Sequence, residues 1–169
     1  LDPRRLKIYQ DGLPSDGPLG RQIVEEAARR GSKNYRLVLE LLKRGAELRK
    51  TEDPRLLLQE RSNILQLVDQ SGQRRTSQEA QQYRRQRDHL MMERDKFIAA
   101  AINATLKEGE IGVLFLGAFH EVTGHLASDI SVEALKDRQK VQAYFEGLFL
   151  LQDDERFQQL AHYLTSPVS

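Results

Sequence analysis

The sequence predicts an α/β domain: a mainly parallel sheet flanked by helices, with one long helix in the C-terminal half leading into the central strand. Three observations predict it. Short segments at 6–9, 46–50 and 113–116 have strand length, not helix length, and the first and last are largely apolar. Between them lie segments whose apolar residues recur every three or four positions, the period of an amphipathic helix. The resulting order is strand, helices, strand, helices, strand, the alternation that builds parallel sheets.

The elements follow in order. Residues 6–9 form a short strand, and Gln10-Asp11-Gly12-Leu13-Pro14 is a turn-rich loop. A helix over 19–30 carries Ile23, Val24, Ala27 and Ala28 on one side and stops at Gly31. A second, over 34–44, buries Leu37, Val38, Leu41 and Leu42 and ends at Gly45. Residues 46–50 are a weak strand. Asp53 and Pro54 then start a helix, the carboxylate as cap and the proline in the first turn. Its stripe is Leu56, Leu57, Ile64, Leu67 and Val68. The polar stretch 71–77 reads as a linker. Residues 78–107 form one long helix whose first half, rich in arginine, faces solvent or a second copy of the chain. The run 113–116 is expected to be a central strand buried on both faces. A further strand is expected at 130–135, a helix at 137–150 and a last short helix at 153–164.

Composition narrows the function classes. The 169 residues suit one domain, or one domain with a small appendage. Twenty-six basic residues against 25 acidic give a net charge of +1, so no nucleic-acid partner is expected. With no cysteine, disulfides, thiolate nucleophiles and Cys-ligated metals are excluded. No apolar run approaches the ~20 residues of a membrane span. The expected setting is cytoplasmic and soluble. The chain begins at Leu1 and reads as a piece of a longer protein.

The candidate site lies at the carboxyl ends of the strands, where open parallel sheets hold their ligands. Asp11 follows the first strand, Glu52 the second, and His120 with Glu121 the third. Arithmetic adds a fourth element. Arg94 lies twelve residues before Leu106, roughly 18 Å of helix. The run 111–117 spans roughly 20 Å of strand. Because the long helix turns straight into that strand, Arg94 and Asp95 should lie level with its far end. Both also fall on the helix's apolar stripe, which is costly unless each pairs or faces a polar cleft. Asp53 reads as a cap only, and His89 and His162 as surface or packing residues. His120-Glu121-Val122-Thr123-Gly124-His125 is not a zinc helix, because its histidines are five apart, about 140° round a helix.

At Arg94-Asp95, Glu108-Gly109-Glu110 and 113 to Gly117-Ala118-Phe119-His120, the chain resembles the C-terminal motif of the TraB/PrgY-like group. That motif is an Arg-Asp or Arg-Asn helix, a strand, then Gly-x-x-His. The group belongs to a broad superfamily with erythromycin-esterase-like and ChaN haem-binding proteins. The strand end at 47–51 with Glu52 resembles the group's acidic strand end. The phrases YQDGLP and TEDPxLLL also resemble an uncharacterised bacterial family. The group's first Gly-x-x-His has no counterpart here; Tyr9 to Gly12 stands in its place.

The resemblance covers about half the chain and carries over His120, Glu52, Arg94 and Asp95. It implies a hydrolase, with His120 as general base or metal ligand and Glu52 as acid/base or second ligand to a divalent metal. Arg94 would orient a carboxylate or phosphate of a small anionic substrate, pairing with Asp95 when empty. Asp11 and Glu121 are expected to touch the ligand. The alternatives are a non-catalytic domain for a small ligand or haem, and an assembly protein that forms a homo-oligomer through the long helix.

Overall fold

The computed structural model describes residues 2–69, 77–150 and 154–167. Three strands form one parallel sheet: β1 (Leu6–Gln10), β2 (Glu47–Arg49) and β3 (Ile111–Phe115), in the order β2-β1-β3. Ile8 pairs in register with Leu48 on one side and Val113 on the other. Helices α1 (Gly17–Arg29) and α2 (Lys33–Lys43) join β1 to β2. Helices α3 (Pro54–Asp69) and α4 (Ser77–Thr105) join β2 to β3. Two further helices, α5 (Arg138–Phe149) and α6 (Glu155–Thr165), follow.

The chain divides into two compact units. The larger comprises Leu1–Leu116 with Glu121–Ala127, and the smaller Gly117–His120 with Ser128–Ser169. In the larger unit, β1 is buried along its whole length, because both faces are covered. Its Leu6 and Ile8 face Val24 of α1 and Val38 and Leu42 of α2. Its Tyr9 points to the opposite face, where the phenol meets Thr105 Oγ1 of α4 at 2.8 Å. The two crossovers therefore cover opposite faces, as in doubly wound sheets.

Local chemistry explains the helix bounds. Ser32 caps α2 by accepting the Tyr35 N–H. Gly45 follows α2 at φ +103°, a left-handed conformation that suits glycine. Asp53 Oδ1 accepts the Arg55 N–H at 2.9 Å, and Pro54 opens α3. In α4 the apolar stripe begins only at Leu90 and runs through Ile98, Ala99 and Ile102, all buried. The described side chains at 84–89 are exposed, as their polarity requires. In the smaller unit, Asp137 caps α5 and Asp154 caps α6, and Tyr144 stacks on Phe157 with ring centroids 5.0 Å apart.

Two strand expectations are corrected. The run expected to be central is β3, an edge: its described sheet partner is β1 alone, and it is half-buried at most. The central strand is β1, whose Lys7 and Gln10 disguise its burial in the sequence. Residues 130–135 form no strand, and Val132 and Leu135 are exposed. A parallel strand there would need a helical crossover of a dozen or more residues after β3, and only the three-residue turn Thr123–His125 intervenes. The expected linker at 71–77 lies outside the described residues, except for Ser77, which opens α4. No helix among the described residues is long and apolar enough to cross a membrane.

Close packing of α1 on the sheet gives a prediction. A Cβ on Gly20 would stand 2.2 Å from the Ser15 carbonyl oxygen and 3.2 Å from Leu48 Cδ2. Backbone cannot yield as a side-chain tip does. Gly20→Ala should cost about 1–3 kcal/mol of stability, read as a lower urea midpoint. An unchanged midpoint would mean that the turn before α1 is free to move.

Candidate functional site

The site is assembled by the turns that leave β1 and β2. The Asp11 N–H donates to the Phe115 carbonyl at 2.9 Å, which ties the exit of β1 to the end of β3. The Leu13 carbonyl accepts both the Thr51 and Glu52 N–H groups, at 2.9 and 3.1 Å. The buried Thr51 hydroxyl donates to the Gln10 carbonyl. Glu52 is thus fixed between a strand end and a helix start, with 0% of its surface exposed. The strand order reverses between β1 and β3, and this is the switch point at which open sheets form a ligand crevice.

Arg94 reaches this edge from α4 and gathers three carboxylates. Its Nε donates to Glu52 Oε2 at 2.8 Å, and its Nη2 lies 2.8 Å from the same oxygen. Nη2 also donates to Asp11 Oδ1 at 3.1 Å. Nη1 meets both oxygens of Glu60, on α3, at 3.2 Å each. The side chains of Glu52 and Arg94 are 0% and 9% exposed, whereas those of Asp11 and Glu60 are 19% and 38% exposed. The cluster is closed at the Glu52 end and open at the Asp11 and Glu60 end.

The charges do not balance. Three carboxylates against one guanidinium leave −2 when all are ionised. Burial drives the Glu52 carboxyl above its ordinary range, and Asp11 adds to the rise, while Arg94 opposes it. Burial also works against the charge on Arg94, but Glu52, Asp11 and Glu60 outweigh it and hold its pKa above the ordinary value. Glu52 Oε1 is buried with no hydrogen-bond partner. An orphaned oxygen of this kind costs about 1–3 kcal/mol or more unless a proton or another group relieves it.

The other expected residues lie on different surroundings. Asp95 is buried, but its Oδ2 accepts the Glu121 N–H at 2.8 Å. The expected Arg94–Asp95 pair is therefore corrected: neighbours on a helix point about 100° apart, and Arg94 turns to Glu52, Asp11 and Glu60. Glu121 is exposed and begins a segment held on α4 by buried Val122 and by Asn103, which bonds His125 and Ala127. The Glu121 carboxylate accepts the Thr123 hydroxyl. His120 belongs to the smaller unit, where it is buried and its N–H donates to the Gly117 carbonyl at 3.3 Å.

Glu60 was not foreseen. It stands three and four residues after Leu57 and Leu56 and four before Ile64, so it interrupts an apolar stripe as Arg94 does. The same phase argument would have found it. Among the described residues no three His, Asp or Glu side chains converge as a metal-binding group. The three acids of the cluster instead surround a guanidinium, which takes the central position a cation would need.

Linkage gives Glu52 a testable signature. Its pKa is raised above the unfolded value of 4.5, so the folded state binds more protons than the unfolded state above that pH. Its contribution to stability is full below pH 4.5 and is lost as pH rises through the folded pKa. The stability of the wild type minus that of Glu52→Gln should fall across that window. A difference that rises with pH would show that Arg94 holds Glu52 ionised. Arg94→Ala should cost about 3–5 kcal/mol, because Glu52, Asp11 and Glu60 would lose the one cation they share; a loss below 1 kcal/mol in urea denaturation would contradict the burial of the cluster.

Comparison of the chain with protein-family models, with curated proteins and with solved structures finds no match.

Proposed function

We propose that the larger unit is an acid–base enzyme of hydrolytic type, acting on a small substrate that carries a carboxylate or phosphate. The observation that carries this reading is the state of Glu52: fully buried, with one oxygen on Arg94 and the other without a partner. A carboxyl pushed toward its neutral form holds a proton nearer neutral pH, as a general acid must. Arg94 is the orienting group, since its planar fork matches a carboxylate or phosphate. The substrate reaches the cluster on the Asp11 and Glu60 side, where it is open to solvent.

A second reading shares the site. Glu52 is closed off from solvent, so it can also serve only as the anchor of Arg94. The larger unit is then a binding domain for a small anion, without turnover.

A panel of small carboxylate-bearing esters and phosphate monoesters separates the two. Under the first reading a member of the panel is hydrolysed, and Glu52→Gln lowers the rate about 10²–10⁴-fold while remaining folded. Full turnover by Glu52→Gln would remove Glu52 from the chemistry. Binding without hydrolysis across the panel would leave the second reading.

A further inference from the structure

The guanidinium of Arg94 has a fixed side and an exchangeable side. Nε and Nη2 engage Glu52, which is sealed in the core, and Asp11, which is anchored by its own backbone bond to β3. Nη1 engages only Glu60, through both carboxylate oxygens, and Glu60 is the most exposed member of the cluster. We propose, resting on the anion-handling reading above, that Glu60 is a built-in stand-in for the substrate's carboxylate, and that α3 acts as a latch which the substrate opens by displacing Glu60 from Arg94.

Four considerations carry this. The contact of Glu60 with Nη1 has the chemistry of a bound carboxylate, so the position accepts that group. Exchange of one carboxylate for another leaves the charge around Arg94 unchanged, whereas adding an anion to the closed cluster would deepen its negative excess. The turns around Glu60 are lightly buried: none of the described side chains at 54–62 is buried, and Leu58 is 65% exposed. Elements with few buried apolar contacts open at low cost. The orphaned Oε1 of Glu52 beside the guanidinium is a separate sign that the site is incomplete as it stands.

The test is calorimetric titration of the folded protein with sodium acetate and with inorganic phosphate. A half-exposed ion pair holds the closed state by a factor of roughly 2–5. Removing the competitor should raise apparent affinity by that factor, because the competent fraction rises. Glu60→Gln should therefore bind acetate or phosphate about two- to fivefold more tightly than the wild type. Glu93→Gln removes the same charge one residue from Arg94 and should leave affinity unchanged. Arg94→Lys, which lacks the fork, should lose the gain when combined with Glu60→Gln.

Equal affinity of wild type and Glu60→Gln overturns the latch. So does an equal gain in Glu93→Gln, which would mean bulk charge, and so does a failure of both anions to bind either protein. Tighter anion binding by Glu60→Gln with no ester hydrolysis keeps the latch and removes the enzymatic reading. Hydrolysis with no gain from Glu60→Gln does the reverse.

Discussion

The buried contact between Arg94 and Glu52 is the constraint on which the larger unit's carboxyl edge depends. Taking a guanidinium and a carboxylate out of water costs several kcal/mol each, and their attraction repays this only with good geometry and further hydrogen bonds. Arg94 has such bonds, since each of its three nitrogens meets a carboxylate. Glu52 has a side-chain partner on one oxygen only, and the Asp53 N–H adds weaker support. The pair is thus satisfied from the side of the cation and unsatisfied from the side of the acid. That asymmetry raises the pKa of Glu52 and leaves Arg94 firmly charged.

The topology decides which residues meet there. Because β1 lies between β2 and β3, the loops after all three strands open at one edge, and two of them are bonded together through the Leu13 carbonyl. Helix α4 runs antiparallel to β3, so its N-terminal portion rises to the same edge while its last turn packs near Tyr9. The described polar side chains at 84–89 of α4 are exposed, because no apolar stripe gives them a surface to cover. Burial begins at Leu90, one turn before Arg94. The charge cluster therefore sits where the helix meets the sheet edge.

Much of this was legible in the residues. Asp53-Pro54 marked the start of α3, Gly45 the end of α2, and two lengths, one of helix and one of strand, brought Arg94 level with Glu52. What failed has a common cause. An apolar run reports that a strand is covered, but not how many strands lie beside it, so Ile111–Phe115 read as central although β1 holds that place. Lys7 and Gln10 made β1 look less buried than it is. Adjacent charges on a helix suggested the Arg94–Asp95 pair, yet helical geometry separates them and sends each to a different partner. Glu60 is hidden among the leucines of α3, whose helical phase it shares. The placement of His120 in a different unit from Glu52 depends on long-range packing that no local pattern encodes.

The two ends of β1 show why a buried cation alone does not make a site. At the amino end, Lys7 is 5% exposed and pairs with Glu47 and Glu110, the latter at 3.4 Å. There the hydrogen bond from Lys7 is the main cause that holds Glu47 below the ordinary carboxylate range, and the Lys107 N–H does most to lower Glu110. These acids remain ionised down to low pH, and their contribution to stability is lost only as pH falls through their folded pKa values. At the carboxyl end the direction reverses, since Glu52 gains more from neutrality than Arg94 returns. One end of the strand is a closed ion pair whose acids are content with their charge. The other holds an acid that is not, next to a guanidinium whose outer face is covered only by an exposed carboxylate. Reactive chemistry needs a group held away from its preferred state, and on this strand only the carboxyl end meets that condition.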